Sequence, residues 1–161
     1  MPVFAAEPLD LVQISVRRGM TVEFAGSLQE LGLTPPESGQ VRHTAGRELL
    51  WIQPDTYLLT MPRGAPRALD VLAPFASLVD QSAGRSCFTL SGPRARDVLS
   101  KGCRLDFHPR VFGSGRVASS SLAHVNAVIQ QIDAEPRFRI IVFSSFAQHI
   151  AEWLKHASAA A

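Results

Sequence analysis

The sequence has almost no lysine. Lys101 and Lys155 are the only two, although basic residues number 16, so arginine supplies nearly all of the positive charge. Arginine suits bidentate carboxylate contacts and protein interfaces; a compositional bias of the source gives the same excess. No basic run is longer than Arg17–Arg18 and the net charge is only +2, which excludes the clustered basic stripe of a nucleic-acid binder. Cysteine is scarce as well. Cys87 and Cys103 lack metal-ligand spacing, and with no secretory signal they point to a reduced, cytoplasmic protein. "MPVFAAEPLD" has neither a cationic start nor a sustained apolar stretch, so it does not read as a signal peptide. No apolar run approaches the roughly 20 residues that cross a bilayer. G-x-G-x-x-G, G-x-x-x-x-G-K-[ST] and G-x-S-x-G patterns are all missing, which removes the commonest phosphate cradles and the nucleophile elbow.

What is present is ordinary globular composition: 46% hydrophobic and 19% charged residues in a chain of 161. A chain of that length buries about 70% of its unfolded surface. "LVQISVR" (11–17) alternates Val12, Ile14 and Val16 with polar neighbours, the period of a half-buried strand. "TVEFAGSLQELG" (21–32) spaces Val22, Leu28 and Leu31 along one helical face, with Thr21 as cap and Gly32 as stop. "GLTPPESGQ" is a loop. "ELLWIQPDTYLLTMP" (48–62) reads as two strands reversing at "QPDT", and "APRALDVLAPFA" (65–76) as a short helix ended by Pro74. "SLVDQSAGRSCFTLSG" holds two strands split by "SAGR".

The next stretch is "LSGPRARDVLSKG" (90–102), a strand end, a turn and a helix with Ala95, Val98 and Leu99 on its apolar face. "VASSSLAHVNAVIQQID" is one long strand or two with a bend, and "RFRIIVF" (137–143) is the clearest strand. "SFAQHIAEWLKHAS" closes as an amphipathic helix with Phe146, Ile150, Trp153 and Ala157 on one stripe.

Set side by side, the halves share one order: strand, helix, two strands, helix. This predicts an α+β fold of two intertwined βαββα, ferredoxin-like repeats with antiparallel sheets. A single domain over 1–161 is expected, with repeat one about 11–76 and repeat two about 86–157.

"LLWIQPDTYLL" (49–59), "LAPFASLVDQSAGRSCFTLSGPRARDVLSKGCRLDFHPRVF" (72–112) and "LAHVNAVIQQID" (122–133) together resemble the gamma subunit of heterotetrameric bacterial sarcosine oxidase. More distantly, "VDQSAGRSCFTLSGPRARDVL" is similar to the core pattern of the aminomethyltransferase (glycine-cleavage T-protein) superfamily, whose folate-binding-domain fold is implied here. The resemblance implies a complex that oxidatively demethylates sarcosine to glycine, with hydrogen peroxide and formaldehyde or methylenetetrahydrofolate. It assigns FAD, FMN, NAD and tetrahydrofolate to other subunits, and alpha, beta and delta subunits as partners. It gives this chain no catalytic residue and no cofactor or metal of its own. A free-standing folate-binding one-carbon transfer protein is the alternative, and self-association of the isolated chain is a third reading.

The candidate site residues each carry two readings. Ser91 or Gly92 as cap, Pro93 in the first turn and Gly102 at the end make a corner that needs no ligand. Arg94 and Arg96 oppose the helix dipole there, which points to an acidic partner surface, to an anion, or to Asp97 and Asp80 nearby. Arg85 joins them as a candidate partner or anion contact. His124 and Asn126 are the pocket candidates on a strand. The superfamily resemblance implies an acidic, folate-contacting residue near Asn126, and a neutral amide cannot act as a general base. Asp133, further along, reads as a turn residue or as a shifted substitute. His149, Glu152 and His156 share a helix flank, as metal ligands or as a solvated face. "KGC" (101–103) resembles a motif of folate-fold proteins linked to iron–sulfur repair, but "RLDFHP" replaces its continuation. Cys103 beside Lys101 is an activated thiol or a buried small residue.

Overall fold

The computed structural model describes residues 2–161. Among them, ten strands form two antiparallel five-stranded sheets, ordered β3-β4-β5-β2-β6 and β1-β7-β10-β9-β8. The chain divides into two compact units, Pro8–Ser82 and Met1–Glu7 with Ala83–Ala161. The expected repeats 11–76 and 86–157 fall one within each.

The first unit holds β2 (Leu9–Val16), α1 (Thr21–Gln29), β3 (Val41–Thr44), β4 (Arg47–Gln53), β5 (Thr56–Pro62) and β6 (Ala76–Asp80). The second holds β1 (Val3–Glu7), β7 (Arg85–Ser91), α2 (Ala95–Ser100), β8 (Val117–Leu122), β9 (Val125–Asp133), β10 (Arg137–Phe143) and α3 (Ala147–Ala159). Read outward from β3 and from β8, the two sheets have the same connectivity. In each, a strand and helix are followed by a three-strand meander that folds back beside the first strand.

The intertwining is now explicit. β1 precedes β2 in the chain but pairs with β7; β6 precedes β7 but pairs with β2. Each repeat thus lends its leading strand to the other sheet. Each half also carries one strand more than the sequence pattern predicts, because β3 was not legible and "VASSSLAHVNAVIQQID" is a hairpin.

In the first unit Val12 and Ile14 of β2 pack with Phe24 and Leu28 of α1 and with Leu49, Leu59 and Met61. The helix face differs from expectation, since Val22 is 82% exposed and Phe24, Ser27 and Leu28 are buried. Met20, not Thr21, occupies the N-cap, while Gly32 adopts φ +75, the left-handed conformation of a chain leaving a helix. The helix expected over 65–76 is a single 3-10 turn, Asp70–Leu72. Ala68 at φ +49 breaks helical backbone, Pro66 and Pro74 bracket the segment, and one turn suffices to bury Leu69 and Leu72.

Arg67 fastens that segment. Its Nη1 lies 3.0 Å from Asp80 Oδ2 and its Nη2 3.7 Å from Asp10 Oδ2. The Ser82 amide donates to Asp80 Oδ1 at 3.0 Å. Hydrogen bonds from Ser82, and then Arg67, lower the Asp80 pKa from 3.8 to about 2. A depressed carboxylate contributes stability above its unfolded pKa and loses it as pH falls through the folded one. The expected result is acid loss of stability between pH 3.8 and about 2, shallower in Asp80→Asn, as read from urea midpoints across that window. Equal slopes in both proteins would contradict it.

In the second unit α2 and α3 cover one face of the sheet. Ala95, Val98, Leu99, Ile150, Leu154 and Ala157 meet Leu90, Leu122, Val125, Ile129, Phe138, Ile140 and Val142. The expected stripe on α3 shifts: Phe146 ends a separate 3-10 turn and is 41% exposed, and Leu154 takes the buried place. Among the described residues no helix is long and apolar enough to cross a membrane.

Candidate functional site

The "SGPRAR" corner is a turn followed by a six-residue helix whose N-cap is Arg94. The cap therefore falls two to three residues later than Ser91 or Gly92. Gly92 adopts φ +125; its N–H donates to Pro136 O at 3.1 Å, and its carbonyl accepts from the Ala95 amide at 3.0 Å. A cavity of about 720 Å³ beside it is lined by Ser91, Gly92, Pro93, Asp133, Glu135, Pro136 and Arg137. Arg137 is already paired with Asp133 at 2.9 Å. The corner therefore spends its donors within the fold and presents carboxylates to the cavity, an electrostatic setting opposite to that of an anion cradle.

The two arginines of the helix part company. Arg94 Nε pairs with Asp97 Oδ2 at 3.2 Å in the open, with side chains 59% and 60% exposed. Arg96 turns inward and donates through Nη1 to the Phe107 and Phe112 carbonyls and through Nη2 to Gln131 Oε1 at 3.0 Å. Its guanidinium carbon lies 5.4 Å from the centre of the Phe138 ring. Desolvation lowers its pKa, yet an arginine remains cationic at any ordinary pH. Asp80 is paired with Arg67. Arg85 stacks over the Phe143 ring at 4.1 Å, and burial lowers its pKa too.

His124 and Asn126 are not brought together. His124 is the second residue of the two-residue β8–β9 hairpin turn and not mid-strand, with φ +71 after Ala123 at φ +49. Asn126 is exposed on β9 opposite Ser121. Asp133 closes β9 and pairs with Arg137, so it holds the β9–β10 corner.

A second cleft, of about 360 Å³, collects several of the other candidates: Lys101, Cys103, Arg104, His124, His149 and Trp153 among its lining. His149 Nε2 lies 2.9 Å from the Ala123 carbonyl, so that nitrogen carries the proton. Lys101 Nζ donates to Ala157 O at 2.9 Å near the C-terminus of α3, satisfying one of its terminal carbonyls. Cys103 is buried with Ser120 Oγ at 3.8 Å, and Glu152 accepts from Gln148 at 3.2 Å. Among the described residues no three His, Cys, Asp or Glu side chains are grouped as a metal site.

Gly102 matters here for space, not for dihedral freedom. A Cβ at this position would meet Trp153 Cζ2 at 2.5 Å. Gly102→Ala must push the indole away from the α2 terminus, and overpacking of this kind costs about 1–3 kcal/mol. A lowered thermal midpoint with altered tryptophan fluorescence is the expected result; unchanged values of both would refute the contact.

A family model described as the sarcosine oxidase, gamma subunit family matches residues 21–160. The chain is similar to the sarcosine oxidase subunit gamma of Corynebacterium sp. (strain P-1), 35% identical over 133 residues, covering 80% of this chain and 62% of that one. The corresponding subunit from Arthrobacter sp is 34% identical over 125 residues, covering 74% and 61%. The chain thus spans about three fifths of the length of these curated relatives. Among solved structures it resembles a chain of the heterotetrameric sarcosine oxidase from Corynebacterium sp. U-96 in complex with pyrrole 2-carboxylate. The TM-score is 0.85 at 30% identity, over 97% of this chain and 83% of that one. Glycine cleavage system aminomethyltransferase T from Bartonella henselae shares the fold, with TM-score 0.69 at 18% identity over 95% and 45%.

Proposed function

Because the chain belongs to the sarcosine oxidase gamma subunit family, we propose that it is the non-catalytic gamma subunit of a flavin-dependent heterotetrameric sarcosine oxidase. The complex would convert sarcosine to glycine, with hydrogen peroxide and formaldehyde or methylenetetrahydrofolate as further products. FAD, FMN, NAD and tetrahydrofolate would sit on the large alpha and beta subunits, with a delta subunit as the further partner. This chain's part is association, stabilising the large subunits. The observation that carries the reading is the match of nearly the whole chain, 97%, to one chain of a heterotetrameric sarcosine oxidase.

Its own residues suit that part. Arg96 is committed to carbonyls of the loop that follows α2, a structural duty. Arg85 over Phe143, with Phe143 43% and Phe146 41% exposed, offers a partner an apolar face with a cationic edge.

The test is co-expression with the large subunits, followed by size-exclusion chromatography and sarcosine turnover. Co-elution, with yield or turnover falling when this chain is omitted, supports the role. Elution alone beside a fully active remainder removes it. Tetrahydrofolate binding to the isolated chain at about 1 µM or tighter would instead favour a free-standing one-carbon protein.

A further inference from the structure

We propose that the cleft lined by Lys101, Arg104, His124, His149 and Trp153 binds a small anion bearing carboxylate or phosphate groups. It does not depend on the assembly role, and nothing in that role requires it.

The lining gives the first reason. Acidic and basic residues are nearly balanced over the whole chain, 14 against 16. Yet this cleft of about 360 Å³ collects a lysine, an arginine and two histidines, and none of its described lining residues is acidic. A concave wall of one charge sign concentrates counter-ions of the other. Lys101 uses one N–H on Ala157 O, and an ammonium has three. The indole of Trp153 adds a flat apolar wall, held close by the missing side chain of Gly102.

The hairpin gives the second reason, and it is independent of the charge count. A two-residue turn with both residues at positive φ is the kind that Asn-Gly or Gly-Gly fills at little cost. Here Ala123 and His124 fill it, at φ +49 and +71. The turn is tied from two sides: the Ala123 amide donates to Gly102 O at 3.0 Å, and His149 donates to Ala123 O. Backbone held in a disfavoured region by its surroundings is a feature of ligand sites. What the strain achieves here is an imidazole at the rim of the basic cleft, where a glycine would fold more easily.

That conflict supplies the test. The probe is citrate, with inorganic phosphate as the smaller comparison, titrated into the purified chain at low salt. Chemical shifts of the Lys101–Arg104 amides and of His124 are followed together with Trp153 emission. Saturable shifts confined to the cleft, with a dissociation constant of about 1 mM or tighter, are expected. The double variant Lys101→Ala/Arg104→Ala should bind about tenfold more weakly or worse. His124→Gly should move two quantities in opposite directions: a higher thermal midpoint, since glycine tolerates the dihedral, and weaker citrate binding. A purely structural histidine would not lower anion affinity while its removal stabilised the fold.

Repeating the titration after assembly with the large subunits tests whether the cleft stays open to a free anion. Binding that persists identifies a free small molecule; binding that disappears shows that a partner chain covers the cleft and overturns a free anion as its occupant in the complex. No saturable shift in the isolated chain, or equal affinity in all three proteins, overturns the site. Neither result bears on whether the chain assembles.

Discussion

Glu7→Ala is expected to destabilise the folded chain by about 3–5 kcal/mol, the usual cost of removing one partner from a buried ion pair. Arg139 is only 7% exposed at its side chain and Glu7 24%. The guanidinium meets the carboxylate in parallel, Nε to Oε2 at 2.8 Å and Nη2 to Oε1 at 2.9 Å, while Nη1 donates to Gln130 Oε1 at 3.0 Å. Glu7 lies on β1 and Arg139 on β10, with β7 between them, so the pair spans the middle strand. It is therefore a side-chain tie, beside the packing of Phe4 on the core, that fixes the exchanged N-terminal strand to its sheet. Deleting the carboxylate takes the Glu7 partner away from a buried cation. Glu7→Gln keeps an acceptor and should lose less. Glu7→Leu/Arg139→Met should recover most of the loss, because apolar replacement of both partners is often neutral. Urea unfolding of the three variants decides the matter, against a total stability of order 5–15 kcal/mol for natural domains. If the double variant is weaker than Glu7→Ala, the pair itself supplies net stability. If all three match the parent, β1 is not held this way.

The same strand marks the limit of what the sequence discloses. β10, "RFRIIVF", was legible because five of its residues are buried in an unbroken run, and β2 because Val12 and Ile14 alternate with polar residues. β1 has the burial pattern of an edge, with only Phe4 and Glu7 partly covered, and its partner lies some eighty residues on. Period alone finds a face; it does not find a partner that arrives later in the chain. The repeat was legible for a different reason: strand–helix–meander occurs twice, so element order survives without residue identity. The helix expected at 65–76 failed on one dihedral, φ +49 at Ala68, which no helical spacing of apolar residues discloses. Of the site residues, Lys101 with Cys103, His124 with Asn126, and His149 with Glu152 and His156 stand out in the sequence as three separate groups. The meeting of Lys101, Cys103, His124 and His149 in one cleft depends on a hairpin turn without glycine or asparagine, the residues that normally announce it.

Arg96 and Arg94, two residues apart in sequence, should respond to mutation by very different amounts. Arg94→Ala removes an exposed i,i+3 pair and should cost less than about 1 kcal/mol. Arg96→Ala removes the guanidinium that donates to the Phe107 and Phe112 carbonyls and opens the face of Phe138. Phe107 and Phe112 pack edge-on at 5.6 Å, and Phe107 meets Phe138 edge-on at 5.8 Å, so one guanidinium and three rings bind the 103–113 loop to the sheet. Leaving two partly buried carbonyls without that donor costs about 2–4 kcal/mol in all. Arg96→Lys distinguishes charge from shape. A lysine keeps the cation but has no planar fork to reach two carbonyls and Gln131 at once, so it should restore less than half of the loss. Thermal or urea midpoints give the stability, and amide exchange across 103–113 locates it. Protection there should fall in Arg96→Ala and Arg96→Lys and stay unchanged in Arg94→Ala. Equal stabilities for Arg96→Ala and Arg94→Ala would mean that the inward arginine is as dispensable as the outward one. The helix dipole would then be all that either residue senses.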